Sequence, residues 1–492
     1  SGLKPGHRLR YVFTKSDRLP SDSIPFTDTP FLASSPAGPR CVFVTGDIEN
    51  LVSDQSDPAI LNLADAETRA WILAETPILR MESRQPEGLG FVPKVWFGSN
   101  EQTWEGIGQA YLKRIRQPLE QVPAADKLAQ SIVRSEDSDE QKARAVLRWI
   151  QDKMAYQALE FGVHAQVPNA VDLTLRNRFG DCKDLSLLGL QMLRALKIRS
   201  HMCLVNTAGA IEKSAPDMAQ FDHAILFLPD IGGGAFVDCT SRFVDPLRTG
   251  PAAWFGKDVL ILDDNEIRFQ RIQADTANHS RIDSKRTVTL SADSNDVLVT
   301  ESLTVDGGYA TSLRSFLLGT NEANIKSYLA ETLTDRNRVE LVSYQSVNAE
   351  DFLKPLVLKL TYRIRKVVRV RGELRRVKLP GRWEEYLLRE SVVSERLTPF
   401  ELKVPLRFTS SVELKVPAGW KCETDPQTEA DRNDWLDYRI ERTEQGSSLK
   451  LESRIARKSG RYPASSFSPY QDSVNLAVDA VTPELVFSTS NP

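Results

Sequence analysis

The sequence predicts a multidomain α+β protein, with a helix-plus-antiparallel-sheet core flanked by an N-terminal β-rich domain and a C-terminal β-sandwich. Three observations predict it. At 492 residues the chain is too long for one ordinary hydrophobic core, and two to four domains are expected. Apolar residues repeat with a period of two near both ends and with a helical period in the middle. Where the middle turns to strands, they follow the helices rather than alternate with them, which is not a doubly wound order.

Residues 1–103 read as the N-terminal β-rich domain, expected to have lost its first strands. Leu9 to Phe13, Arg40 to Val44, Trp71 to Ala74 and Val95 to Phe97 are short β-like runs with proline and serine turns between them. Residues 104–275 form the expected core. It starts with helices from Glu105 to about Gln117 and from Ala124 to Val133. The clearest amphipathic helix runs from Asp139 to Met154, with Ala143, Val146, Trp149, Ile150 and Met154 on one face and Asp137 or Ser138 as its cap. A loop from Tyr156 to Phe179 leads into an apolar helix in which Leu185, Leu188, Met192 and Leu196 share a face and Leu187, Leu190 and Leu193 cover much of the rest. Ser200 to Val205, Ala224 to Leu228 and Gly234 to Asp238 then read as strands. Residues 276–492 form the expected β-sandwich, interrupted by one helix from Asn321 to Leu333.

Composition narrows the function classes. The chain is 41% hydrophobic and 26% charged, with a formal net charge of -3, so no general polyanion-binding or nucleic-acid role is expected. No run approaches the roughly 18–20 apolar residues of a transmembrane helix. The chain starts at Ser1-Gly2, which reads as a processed end or an expression scar, so the missing leader carries little weight. Five cysteines form an odd set without paired spacing, and disulfides are not expected to hold the fold.

The chemistry gathers around Phe179-Gly180-Asp181-Cys182-Lys183-Asp184. A glycine turn delivers a cysteine to the first turn of a buried helix. Unpaired N–H groups and the positive end of the helix dipole there favour thiolate over thiol. A cysteine nucleophile also needs a base and a group to orient that base. His223, in Phe221-Asp222-His223, opens a strand expected to pack on this helix and can supply the imidazole. Asp238, in Asp238-Cys239-Thr240, can hold the ring's other nitrogen. The Cys182 N–H is one expected oxyanion donor, with Gln157 or Gln166 as the source of a second.

These motifs resemble the transglutaminase-like core of the papain-type cysteine superfamily. More narrowly, the chain is similar to bacterial proteins in which such a core lies between two β-rich domains of unknown function. Trp104, the helix from Asp139, Tyr156 and Pro168 also fit that pattern. The resemblance implies Cys182 as nucleophile, His223 as base and Asp238 as orienter; thioester chemistry of this kind is expected to require no cofactor and no metal. It further implies a periplasmic or extracellular location and a polypeptide or cell-wall peptide as substrate. Cys239 departs from the pattern, which usually has proline there.

Together these readings predict a cysteine-dependent acyl-transfer enzyme acting on amide or peptide bonds, a protease, amidohydrolase or transglutaminase. The alternative is an inactive scaffold that serves as a protein-binding or assembly module. Cys182, His201, Cys203, His223 and Cys239 gather soft ligands in one domain, but without the close pairs of a usual zinc site. A disulfide between Cys203 and Cys239 is conceivable in an oxidising compartment. The basic stretch Lys359 to Arg382 reads as a strand with one wet face, since Leu358, Leu360, Tyr362 and Ile364 alternate with polar residues. Trp383 and Tyr386 stay open between core and contact surface, and His164 between a surface loop and the substrate cleft.

Overall fold

A computed structural model describes residues 27–30, 38–45, 51–65, 67–78, 80–86, 91–99, 102–119, 123–158, 167–248, 254–273, 280–333, 338–378, 388, 395–445 and 448–489. The architecture is mixed α+β and falls into two compact units. The run Leu9 to Phe13, together with His164, Gln166, Trp383 and Tyr386, lies outside the described residues.

The first unit comprises residues 1–78, 92–107 and 212–219. It holds two three-stranded antiparallel sheets, ordered Thr27–Pro30, Lys94–Ser99, Leu51–Gln55 and Arg40–Thr45, Thr68–Leu73, Leu61–Ala64. Trp71 lies in its small core with Ile60, Leu73 and Val95, and stacks on Phe97 at 5.6 Å between ring centroids. The segment 212–219 is tied in by two bonds: Trp104 Nε1–H donates to Lys213 O at 2.8 Å, and Ser214 Oγ–H to Asp54 at 3.0 Å.

The second unit holds the helical core and everything C-terminal to it. Among the described residues five helices precede the core sheet: α1 (Trp104–Arg116, of which the part from Gly108 belongs to this unit), α2 (Pro123–Ile132), α3 (Asp139–Lys153), α4 (Val171–Asn177) and α5 (Cys182–Ala195). Ser138 caps α3 in a capping box with Gln141. The loop expected from Tyr156 to Phe179 contains α4, a helix too short for its apolar period to show. The core sheet is antiparallel throughout, ordered Ala235–Val237, His223–Leu228, His201–Val205, Asp258–Leu262, Ile267–Arg271. Its last two strands were not expected from the sequence.

Helix α5 lies against one face of this sheet. Ser186 Oγ–H donates to Ala224 O at 3.1 Å, so even the helix's polar side chain is used to join the layers. A Cβ on Gly189 would come within 3.1 Å of Leu226 and 3.2 Å of Cys239 Sγ, so a larger residue there would have to push these side chains aside by a few tenths of an ångström. The opposite face packs Cys203, Val205, Ile225, Phe227, Val259 and Ile261 under Trp254. The five Leu and Met side chains at positions 185, 187, 188, 192 and 193 of α5 are at most 2% exposed, a buried helix at the centre of its layer.

The C-terminal part carries an eight-stranded sheet ordered Val339–Val347, Leu356–Ile364, Ser294–Asp306, Ser280–Ser291, Leu406–Lys415, Ser448–Arg457, Leu436–Gln445, Gln427–Arg432. Its central pair, Ser280–Ser291 with Leu406–Lys415, is parallel. A four-stranded sheet, Val368–Arg371, Leu374–Lys378, Glu484–Thr489, Trp420–Cys422, shares the same hydrophobic core. This region is more helical than the expected β-sandwich. Helices span Gly308–Gly319, Glu322–Leu333 and Phe467–Val481, where one had been expected. In the last, Phe467, Tyr470, Val474, Ala477, Val478 and Val481 are buried at helical spacing, and that packing overrides the β-branched valines. The strand Leu356–Ile364 alternates as expected, with Leu358, Leu360, Tyr362 and Ile364 buried and Lys359 and Arg363 exposed.

Candidate active site

The site is built at the start of α5. Asp181 is the N-cap, and its Oδ1 accepts the Lys183 N–H at 3.1 Å and the Asp184 N–H at 3.2 Å. Asp184 completes a capping box by accepting the Asp181 N–H at 3.2 Å. It also accepts the Asn169 N–H at 2.7 Å and the Asn169 side-chain amide at 3.1 Å, which fastens the approach to α4 onto the helix start. The Lys183 ammonium bonds to Asp181. Burial pushes Asp181 above the usual carboxylate range; the bond from Lys183 opposes this and the charge of Asp184 adds to it. Gly180 is required by space. A Cβ there would stand 2.6 Å from Asp184 Cβ and 3.2 Å from Thr174 Cγ2.

Cys182 occupies the first helical position and is 6% exposed. Of the first four helical N–H groups, those of Lys183 and Asp184 bond to the Asp181 side chain and that of Leu185 to the Asp181 carbonyl. Among the described residues the Cys182 N–H has no hydrogen-bond partner. Tyr111 of α1 is buried nearby, and the charges of Cys182, Asp181 and Asp184 add to burial in raising its phenol.

His223 opens its strand and pairs in register with Val205. Its Nε2 lies 3.3 Å from Asp238 Oδ1, and the Cys182 thiol is near enough to bear on its pKa. With Nε2 turned to Asp238, Nδ1 is the ring nitrogen left to face sulfur. Burial by itself pulls the imidazole down. The bond to Asp238, the nearness of Cys182 and the negative charge of each outweigh it and raise the pKa to about 10. Asp238 is itself held by three donors. Thr240 N–H and Oγ1–H reach Oδ1 at 2.9 and 2.7 Å, and Ser241 Oγ–H reaches Oδ2 at 2.7 Å. Burial raises this carboxyl, but the His223 bond and charge and the Ser241 and Thr240 hydroxyls bring it below the usual range. Trp254 closes over the imidazole at 5.4 Å between ring centroids.

The structure therefore brings Cys182, His223 and Asp238 together. Gln157 is drawn to the same helix start: Ala155–Tyr156 pairs in parallel with Phe179–Gly180, and the Gln157 N–H donates to Gly180 O at 2.9 Å. Gln166, the other amide considered, is outside the described residues. The soft ligands do not assemble. Cys203 lies on the sheet face away from α5, whereas Cys239 lies on the α5 face against Ser186 and Gly189, so the strand separates the two thiols and both are free. The conceivable Cys203–Cys239 disulfide is thereby corrected. His201 faces Asp263 instead, at 3.6 Å. Among the described residues no group of three His, Cys, Asp or Glu side chains is placed to hold a metal.

Several contributors were missed in the sequence: Asn169, Asp181, Asp184, Thr240, Ser241 and Trp254. The spacing Asp181-x-x-Asp184 before an apolar helix was a legible capping signal. Thr240 and Ser241 follow Asp238 at the two- and three-residue offsets typical of side-chain turns.

A transglutaminase-like core within a multidomain α+β chain is the class that this fold and site define. Residues 126–227, which include Cys182 and His223, match the model of the transglutaminase-like superfamily, and residues 374–487 match a domain of unknown function with a solved structure, DUF3858. The chain thus resembles transglutaminase-like proteins of the papain superfamily. Among solved structures, a candidate protease from Parabacteroides distasonis superposes with a TM-score of 0.60 at 14% identity, covering 94% of this chain and 75% of that one. A candidate cysteine protease from Cytophaga hutchinsonii gives a TM-score of 0.21 at 16% identity, over 51% of this chain and 94% of that one. No curated protein matches the chain.

Proposed function

We propose that the protein is a cysteine-dependent acyl-transfer enzyme acting on amide or peptide bonds, with Cys182 as nucleophile, His223 as general base and acid, and Asp238 as orienter. The observation that carries this is His223 held between the Cys182 thiol and the Asp238 carboxylate, with its pKa raised to about 10. An imidazole so held retains its proton at neutral pH, which suits a thiolate–imidazolium pair. The sulfur attacks the carbonyl carbon and the C=O π pair moves to oxygen, where the Cys182 N–H can donate to it. The tetrahedral adduct collapses, the C–N bond breaks, and the His223 proton goes to the departing amine. Water or an amine then attacks the thioester and gives its proton to His223. The thiolate leaves, and an acid or a new amide is released.

Water as acceptor gives proteolysis or amidohydrolysis, and an amine gives transglutamination. A polypeptide or cell-wall peptide is the proposed donor, met in the periplasm or outside the cell, by resemblance to exported transglutaminase-like proteins. The low exposure of Cys182, at 6%, favours a second reading, an inactive scaffold that binds other proteins. One experiment separates the two. The chain is treated with iodoacetamide at about pH 6, where an ordinary thiol near 8.5 hardly reacts, with Cys182→Ala as control. Mass spectrometry then searches for acyl adducts after incubation with peptide donors. Fast labelling lost in the Cys182→Ala chain, plus a thioester on Cys182, is the expected result. Labelling no faster than for free cysteine, with no adduct, leaves the scaffold.

A further inference from the structure

The segment that follows Asp238 runs from the site to the C-terminal part of the molecule and is fixed at both ends. At the near end Thr240 and Ser241 hold the two Asp238 oxygens. At the far end Arg248 Nη1 donates to Asp306 at 3.0 Å, at the close of the strand Ser294–Asp306. Between them, Asp245 accepts Arg144 of α3 at 3.0 Å. Phe243 sits in the left-handed region, with φ 62°, a conformation that a bulky residue holds only when its surroundings impose it.

Beside it stands Phe352, a 7%-exposed side chain from the loop between the strands Val339–Val347 and Leu356–Ile364. The Phe243 ring meets it edge-on at 6.3 Å between centroids. Two guanidinium groups also lie over the Phe352 ring. The Arg148 guanidinium of α3 lies 3.8 Å from its ring centroid, and that of Arg314 lies 5.4 Å away. Arg314, itself 3% exposed, shapes the loop that presents Phe352 by donating to the carbonyls of Asn348, Asp351 and Lys354.

We propose that Phe352 is a positioning residue for Asp238: through Phe243 the C-terminal β region sets the turn at Thr240 and Ser241 and so the grip of Asp238 on His223. The inference rests on the triad reading above. Without the Phe352 ring, Phe243 is free to leave its left-handed conformation. The Ser241 and Thr240 hydroxyls then lose their alignment on the carboxylate, and Asp238 no longer fixes the imidazole.

The test follows iodoacetamide labelling of Cys182 against pH in the full chain, for wild type, Asp238→Asn, Phe352→Ala, Phe352→Leu and Phe352→Tyr. Far-UV circular dichroism and melting temperature report folding. The Leu variant keeps apolar bulk without the ring, so the question stays answerable if the Ala variant does not fold. The expected result is an upper inflection, reporting loss of the His223 proton, that falls by about one unit or more in the folded Leu variant and returns in Phe352→Tyr. A merely structural residue would lower the melting temperature and leave that inflection in place. If Asp238→Asn moves the inflection and Phe352→Leu does not, the inference is overturned and the triad stands. If Asp238→Asn leaves it unmoved, the triad reading falls and the inference with it.

Discussion

Around the start of α5 and on the inner face of the eight-stranded sheet, the chain buries ionisable side chains to similar depth. Asp181 is 2% exposed, Lys183 5% and Asp184 3%, against 4% for both Arg286 and Glu301 in the sheet. In the sheet these groups face neighbours on adjacent strands. Ser284 Oγ–H and Tyr362 Oη–H donate to Glu301 at 2.7 and 3.0 Å, and Arg286 donates to Ser410 at 2.9 Å. At α5 the same kind of capping and pairing surrounds a thiol, an imidazole driven upward by its partners, and an N–H with no acceptor among the described residues. Depth of burial therefore does not separate the two clusters. The proposed nucleophile with its proposed base and orienter does.

The comparison breaks most sharply at Asp238. Replacing it by Asn keeps the shape but removes the charge that favours protonated His223. The rate at which an amide-linked peptide donor acylates Cys182 should fall by about 10²–10⁴. Single-turnover mass spectrometry of the intact chain measures it. A loss of less than about threefold would place the Asp238 cluster in the same category as the one in the sheet.

The matching substitution in the sheet is Glu301→Gln. It keeps one acceptor oxygen but turns an NH₂ toward hydroxyls that now donate to Glu301, at a cost of roughly 1–3 kcal/mol. Urea unfolding should show that loss, while Cys182 labelling and acylation stay within about twofold of wild type. A Glu301 variant that lost acylation without losing stability would mean that the sheet cluster reaches the site.

The α5 site was legible because its signals are local. Gly180 and the cysteine lie within three consecutive positions, and one polar residue in each of two apolar strands stood out as His223 and Asp238. What was not legible depends on distant chain. Asn169 reaches Asp184 across 15 residues, and nothing in either neighbourhood announces the other. The helix Gly308–Gly319 begins and ends in glycine and carries Thr and Ser, so its propensity is poor. Burial of Ala310, Arg314 and Leu317 stabilises it instead. Phe352 is a single aromatic in a loop, and its place over Phe243 exists only once Arg314 has gathered the carbonyls around it.

The smallest effect expected is also the one that tests His223 without any substrate. Its folded pKa of about 10 lies above the roughly 6.5 of an unfolded chain. A raised value means that the folded state binds the proton more tightly. Its contribution to stability is fully present below about pH 6.5 and is lost as pH rises through about 10. Asp238 has the opposite sign. Its folded value is lowered, so its contribution is present above the unfolded value near roughly 3.9 and is lost as pH falls through the folded one. Between about pH 7 and pH 10 the melting temperature of wild type should therefore fall by about 2 °C or more beyond that of His223→Gln, which has no such proton to lose. Glu301→Gln should melt lower at every pH yet keep the wild-type slope, because its cluster does not hold that proton. Equal slopes in wild type and His223→Gln would mean that the imidazole is not held charged, and the contrast between the two buried clusters would then rest on the Cys182 N–H and thiol alone.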